Sequence, residues 1–544
     1  MKNSWAKVNR KLIARAISEL SFEEVVCPVE NKLTLKNGAV YTFSGKNNIW
    51  GNVLVEPETL RRNGEEISDA GIFFRDSLPE TGMSEFVLGQ FFEEMSNTLS
   101  ADMIARNLPG EKLLSLDGDE IQSYLDGHPK ILLNKGRMGW TAEDSALYSP
   151  ESGKTFKLLW VAVEKSLLSG TGNPAALLLS DKDQATLKFN LPANYTLLPV
   201  HPWQWENIIE TQYRNEIEKG TLRFLGKAGD LYRAQVSLRT LTNVSHPGLP
   251  DVKLSLSILN TSCVRGLPES SVVTGPKVSK TLKMVVENDK ILARTEVLTE
   301  LAGLSFVNPL YKNTEAPYRL KETLGVVIRE SALSKLAKGE SHQLTAALFH
   351  RDSDGVPFIK TLIDKSGLSV TEWFGAYFCE VVIPLYHLQV KYGVGLVAHG
   401  QNIMLKMKEF RPSGIFIKDF QGDLRLLEGL KIPPFEGLDI TRLPAHYLIH
   451  DLFTGHFITV LRFISPLVEE SLGLSEKDFY QLLGKIIGAY EQGLSTRPAA
   501  SILRPRMERV LLNKVRFAIG YGDTQARPLP ILGTELKNPL GDNL

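Results

Sequence analysis

The stretch from Trp373 to Phe420 constrains this chain more than any other. Trp373 to Val394 is apolar at helical spacing, with Glu380 and His387 among its few polar groups, so it reads as a buried helix. It runs into Tyr392-Gly393-Val394-Gly395, a glycine-rich stop, and then into Leu396-Val397-Ala398-His399-Gly400-Gln401-Asn402. Asn402 to Met407 and Gly414 to Phe420 follow as two short strands, with Arg411-Pro412-Ser413-Gly414 as the expected turn. Folding that hairpin places Asn402, at the start of one strand, nearly opposite Asp419, at the end of the other. An amide oxygen beside a carboxylate is a hard oxygen site, which Mg²⁺ completes with phosphate and water. Protein kinases assemble their metals by similar logic, with a catalytic-loop Asn and a DFG Asp; here the sequence is Lys418-Asp419-Phe420-Gln421-Gly422. His399 and Gln401 sit on the tight turn before Asn402, in reach of nucleotide phosphates.

A second cluster lies in the strand-rich middle of the chain, where Leu158–Val163, Thr196–Val200, Tyr232–Thr240 and Val252–Leu259 carry strand signals. Read as a strand, Arg233 to Thr240 puts Gln235, Ser237 and Arg239 on one face; Val252 to Leu259 puts Lys253, Ser255 and Ser257 on one face and Leu254, Leu256 and Ile258 on the other. If these strands pair through His246-Pro247-Gly248-Leu249-Pro250, then Ser237, Arg239 and Lys253 converge, with Thr240 and Arg265 just beyond. Arginine forks, a lysine point charge and hydroxyl donors make a polyphosphate cradle. No GxxxxGK[ST] loop occurs. The competing reading is a sheet face with ordinary surface charges.

A third cluster, Gly127-His128-Pro129-Lys130 followed by Lys135-Gly136-Arg137-Met138-Gly139-Trp140, is basic and glycine-punctuated. A carboxylate bound bidentately by Arg137 is its natural partner; a solvated loop is the alternative.

Composition narrows the function. Lys plus Arg and Asp plus Glu are 62 each, so the net charge is zero, which argues against general nucleic-acid or anionic-membrane binding. Cys27, Cys263 and Cys379 are far apart with no CxxC pair, so neither a disulfide framework nor a structural zinc is expected. Met1 to Ala16 reads as a helix and not as a signal peptide, and no unbroken run of about 18 apolar residues suggests a membrane span. A cytoplasmic location is the expectation. The N-terminal part reads as α+β, with a helix over Trp5–Leu20, strands over Lys32–Leu35, Val40–Phe43 and Ile49–Val55, and a long helix near Ser84–Asn107; the last 200 or so residues read as mostly helical.

Taken together, GHPKILLNKGRMGW (127–140), LPVHPWQWE (198–206), SLRTLTN (237–243), KLSLSILNTSCVRGLP (253–268), IPLYHLQVKYGVGLVAHGQN (383–402), IKDFQGDLRL (417–426) and HDLFTGHFITVLRFISPL (450–467) resemble the siderophore synthetases that work independently of nonribosomal peptide synthetases, most closely the aerobactin synthase branch. The resemblance implies an α+β, three-part cupped-hand fold: a thumb over 1–140, fingers over 141–330 and a mostly helical palm over 331–544. It implies ATP and Mg²⁺, adenylation of a carboxylate, often citrate-derived, and amide formation with an amine or N-hydroxy-amine such as N6-acyl-N6-hydroxylysine. It places ATP phosphates on residues matching Ser237, Arg239, Thr240, Lys253, Arg265, His399 and Gln401, with Arg239, Lys253, His399 and Asp419 as catalytic groups. It places the metal on Asn402 and Asp419, and substrate or phosphate at His128, Lys135 and Arg137. Relatives of this kind are often dimers, so a homodimer is an expectation. Many have Glu two residues before the His where this chain has Val397. His201 is a family feature, read either as a packed, hydrogen-bonded histidine or as a catalytic one. A branch that cyclises succinylated hydroxydiamines is the alternative within the family. A kinase-like phosphotransferase is the more distant one, weakened by the lack of a catalytic Asp on the His399 turn.

Overall fold

The computed structural model describes residues 4–261, 263–420, 422–524 and 531–540. Ser262 and Gln421, which fall in two of the motifs above, lie outside the described residues. The chain is a mixture of helix and sheet throughout.

The N-terminal part forms much as its sequence pattern dictates. Ser4 caps the Trp5–Phe22 helix by accepting from the Lys7 amide, and Ser84 caps Glu85–Ile104 in the same way. The apolar stripe of the first helix (Leu12, Ile13, Ile17, Leu20) packs with Phe73, Phe74, Phe91 and Leu99 into one core. The strand expected over Ile49–Val55 is confined to Val53–Val55.

The middle builds an eight-stranded sheet. Its order is Leu168–Thr171, Glu300–Phe306, Gly325–Arg329, Asp251–Leu254, Thr240–Asn243, Leu222–Ala234, Phe156–Glu164, Tyr195–Val200, and every neighbouring pair is antiparallel. Two expected strands are corrected here. Tyr232–Thr240 is not continuous: one strand ends at Ala234 and the next begins at Thr240. Gln235 to Arg239 forms a tight turn instead, with Leu238 in the left-handed region (φ 67°). Val252–Leu259 breaks at Ser255, so Asp251–Leu254 stays in the large sheet while Leu256–Asn260 pairs with Cys263–Arg265. Alternation alone does not reveal such breaks, because the buried residues Leu254, Leu256 and Ile258 keep period two across the junction.

The C-terminal part holds the largest core. Ser369 and Glu372 form a capping box, and Val370–Tyr392 runs as one helix with a π-helical stretch at Phe378–Val382. It buries Trp373, Phe374, Tyr377, Phe378, Val381 and Tyr386 completely, and it stops at Gly393, whose φ of 62° suits a helix terminator. The hairpin after it pairs Ile403–Lys408 with Arg411–Ile417. Its turn is Glu409-Phe410, not Arg411–Gly414 as expected. The part holds more sheet than its hairpin: Glu340–Leu344 and, from the preceding part, Thr295–Val297 flank the hairpin to make four strands, and Arg506–Leu511 pairs with Ile531–Lys537. One helix, Ala445–Leu472, is long and apolar enough to cross a membrane, yet 83% of that window is buried inside the fold. Its polar residues (His450, Asp451, His456, Arg462) interrupt the apolar run, and all four are buried.

Candidate active site

The mouth of the C-terminal hairpin meets the polar edge of the large sheet. Lys418 donates its backbone N–H to the Asn402 carbonyl (3.1 Å), so Asn402 and Asp419 do stand at the two ends of the hairpin mouth. Asp419 leaves the strand with φ 63°. There Lys253 Nζ donates to Asp419 Oδ1 at 2.6 Å, and Arg329 Nη1 stands 3.7 Å from Asp419 Oδ2. Arg329 also donates to Asp251 (2.5 Å). Burial alone would push the Asp419 carboxyl up, but Lys253, Arg329 and Lys418 outweigh it and hold the group well below the usual carboxylate range. It is ionised at any neutral pH.

Asn402 uses both amide hydrogens inside the protein, donating to the Val397 carbonyl (3.1 Å) and to Asp423 Oδ2 (3.0 Å). Among the described residues no donor reaches its oxygen, which is the end left for a ligand. The Gln401 N–H donates to His399 Nδ1 (3.2 Å), and burial depresses the His399 pKa. A neutral ring that accepts at Nδ1 carries its proton on Nε2, so His399 offers a donor on its far side. His128, brought in from the N-terminal part, lies edge-on to His399 with ring centroids 6.3 Å apart. Burial pushes His128 down to about 3, and its Nδ1 has no partner among the described residues. His128, Val236, His399, Gln401 and Thr459 line one pocket.

The phosphate-cradle candidates arrive from the Gln235–Arg239 turn and the strands beside it. The Thr240 N–H donates to Ser237 Oγ (3.2 Å), and Thr240 lies in register opposite Lys253. Arg239 donates to the Gly266 carbonyl, next to Arg265. Thr240 Oγ1 and Arg265 Nε are buried without a hydrogen-bond partner among the described residues. The turn therefore does by left-handed backbone what the expected strand was to do by alternation: it brings Ser237, Arg239, Thr240 and Lys253 to one edge.

The third cluster divides. The carboxylate partner expected of Arg137 is the protein's own Glu151, bound through both oxygens at 2.6 and 2.8 Å. Lys135 bridges Asp102 and Asp126, each at 2.7 Å, with Glu151 at 3.8 Å. Both cations are buried in an internal ion network, and neither lines the pocket beside His399. Gly127, His128 and Pro129 of that stretch line the pocket, and His128 is the one titratable side chain among them. His201 is equally internal: its Nδ1 accepts the Trp203 N–H (3.2 Å), and its ring packs edge-on to Tyr148 and Phe156.

Several residues at the site escape sequence reasoning. Asp423 follows Asp419 by four residues in what reads as a loop, a position with no pattern to single it out. Arg329 ends an otherwise apolar buried strand, a weak signal that a charge there has a partner. Among the described residues no three His, Cys, Asp or Glu groups are placed to hold a metal by themselves. The oxygen donors of Asn402 and Asp419 fit Mg²⁺ as a partial site that phosphate and water complete.

Residues 119–350 match the IucA / IucC family, and residues 371–524 match a family described as ferric iron reductase FhuF-like transporter. The aerobactin synthase of Escherichia coli is 38% identical over 98% of both chains, and that of Vibrio mimicus is 36% identical over 98% of this chain and 97% of the relative. The solved aerobactin synthetase IucC of a hypervirulent Klebsiella pneumoniae pathotype superimposes with a TM-score of 0.86 at 36% identity, covering 99% of this chain and 98% of the other.

Proposed function

The chain belongs to the IucA/IucC family of siderophore synthetases, and from that premise we propose that it is an ATP-dependent acid–amine ligase of the aerobactin synthase type. A citrate-derived carboxylate is activated as its adenylate and joined to an N-hydroxy-amine such as N6-acyl-N6-hydroxylysine, releasing AMP and pyrophosphate. The observation that carries this reading is the 2.6 Å contact between Lys253 and Asp419, which closes the cation-bearing sheet edge onto the oxygen-bearing hairpin.

In the first step a carboxylate oxygen bonds to the α-phosphorus and the bond to the pyrophosphate oxygen breaks. Arg239, Lys253 and Arg265, with the Ser237 and Thr240 hydroxyls and the His399 Nε2–H, offset the charge that grows on the leaving group. Fixed donors of this kind cost no reorganisation during the reaction, and charged ones are roughly twice as strong as neutral ones. Asn402 and Asp419 would hold Mg²⁺, which when bound polarises phosphoryl oxygens as a Lewis acid. In the second step the amine nitrogen bonds to the acyl carbon, the carbon–oxygen bond to AMP breaks, and the nitrogen gives up a proton. Holding both reactants in one cleft supplies proximity.

We assign a thumb to 1–140, fingers to 141–330 and a palm to 331–544; the largest core also takes in Phe22, Trp50, Leu113, Ile121 and Leu125 from the first part and several residues between 278 and 298 from the second, while Phe517 packs into the first. Asp419→Ala and Arg239→Ala are each expected to abolish carboxylate-dependent pyrophosphate release while circular dichroism stays native. Near-normal release from both variants would refute the site. ADP in place of AMP would make the protein a kinase.

A further inference from the structure

The motif His450-Asp451-Leu452-Phe453-Thr454-Gly455-His456 has no role in the reading above. It lies in the Ala445–Leu472 helix, and from Phe453 to Leu461 that helix is wound as a π-helix over 9 residues. Such stretches shift the backbone out of the ordinary hydrogen-bond register and occur mostly as single turns, frequently at functional sites. Three residues of this edge meet Ala398, which directly precedes His399. The Asp451 carbonyl accepts the Ala398 N–H at 2.9 Å. A Cβ on Gly455 would fall 2.7 Å from the Ala398 nitrogen, so only glycine allows the helix this close. His456, fully buried, meets the Ala398 carbonyl through Nδ1 at 3.1 Å and the Tyr377 hydroxyl through Nε2 at 3.0 Å, with its ring stacked on Tyr377.

The tautomer follows from the partners. A carbonyl can only accept, so Nδ1 carries the proton. Burial pushes the imidazole down to about 4, so the ring is neutral and Nε2 accepts from the Tyr377 hydroxyl. Both peptide planes around Ala398 are thereby pinned. One leads to Val397, whose carbonyl receives the Asn402 amide; the other leads to the His399 nitrogen.

We propose that His456 is a positioning residue for the Ala398–Asn402 turn: by holding the Ala398 carbonyl it sets the peptide plane from which His399 and Gln401 present their donors. This rests on reading that turn as nucleotide-binding. The alternative is that His456 only fills the core. The two differ in what a titration of the whole enzyme with ATP and Mg²⁺ by calorimetry reads. His456→Phe keeps the ring and removes the donor. It is expected to weaken the ATP dissociation constant roughly tenfold, as for a buried carbonyl left unpaired. His456→Asn, whose amide nitrogen takes the place of Nδ1, is expected to recover most of that loss. A purely structural role would lower the binding stoichiometry or the melting temperature and leave the dissociation constant unchanged, which would overturn the proposal. His399→Ala is the reference: if it leaves ATP affinity unchanged, the reading of the turn itself fails. If His456→Phe does not fold, Tyr377→Phe carries the test. It removes the donor to Nε2 that anchors the far side of the ring, and it is expected to weaken ATP binding in the same direction by a smaller factor. Unchanged affinity there overturns the proposal equally.

Discussion

His201 illustrates how much of a residue's role depends on its neighbours. Its sequence setting, in LPVHPWQWE, allows a catalytic base; its surroundings make it a capping and packing group. Burial lowers its pKa to about 3. Because the folded value lies below the unfolded value of about 6.5, the unfolded chain takes up the proton first. The stability owed to neutral His201 is therefore complete above about pH 6.5 and is lost as pH falls toward the folded value. His201→Asn keeps an acceptor for the Trp203 N–H and does not titrate. Urea unfolding at pH 7, 6 and 5 should show stability falling less steeply in the variant, by up to about 1.4 kcal/mol per pH unit. Equal slopes would mean that His201 is protonated in the folded protein. Arg137 teaches the same lesson with opposite sign. A basic, glycine-flanked residue reads as a substrate clamp, yet its carboxylate is Glu151. Neither partner was legible, because composition reveals that a charge needs a counter-charge and not which one it finds.

At the scale of elements, the helix and hairpin from Val370 to Ile417 were largely legible, since their apolar periodicity is local. The turn was not. Pro412-Ser413-Gly414 carries the stronger turn chemistry, but Pro412 sits in the strand and Ser413 is the extra residue of a bulge between Lys406/Gly414 and Met407/Pro412. Gly414 serves a close approach: a Cβ there would lie 2.3 Å from the Arg294 carbonyl. The chain reverses at Glu409 and Phe410 (φ 51° and 62°), a two-residue turn whose left-handed conformations asparagine and glycine adopt more readily. The Phe410 carbonyl is tied to the Trp373 indole N–H at 2.9 Å, which fixes the turn against the helix. Glu409 is exposed, so Glu409→Asn should stabilise the protein by about 0.5 kcal/mol in urea unfolding without altering pyrophosphate release. A loss of stability would show that the turn is not where the left-handed strain resides.

On the scale of the whole molecule, the two ends of the chain are locked together. Glu23, just past the first helix, accepts from the backbone N–H groups of Leu512 (3.0 Å), Asn513 (3.1 Å) and Lys514 (2.9 Å). Buried Lys130 stands 3.6 Å away, and buried Arg462 pairs with Glu19 at 2.6 Å. Glu23→Ala would strand three N–H donors and remove the carboxylate facing Lys130, whose Nζ keeps the Val510 carbonyl at 3.0 Å. It is expected to cost roughly 3–5 kcal/mol, read as a fall in urea midpoint. A loss below about 1 kcal/mol would show that water reaches the clasp.

What the sequence by itself determined is what neighbours along the chain decide: the capped helices, the glycine stop at Gly393, the strand pair of the hairpin after it, and the supply of cations and oxygen donors. Only the tertiary structure decided which of these meet. Lys253 and Asp419 are 166 residues apart, and Ala398 is held by a helix 58 residues further on. Periodicity states that a face is buried but not against what, and a charge's pKa and purpose depend on the partner that long-range folding brings to it.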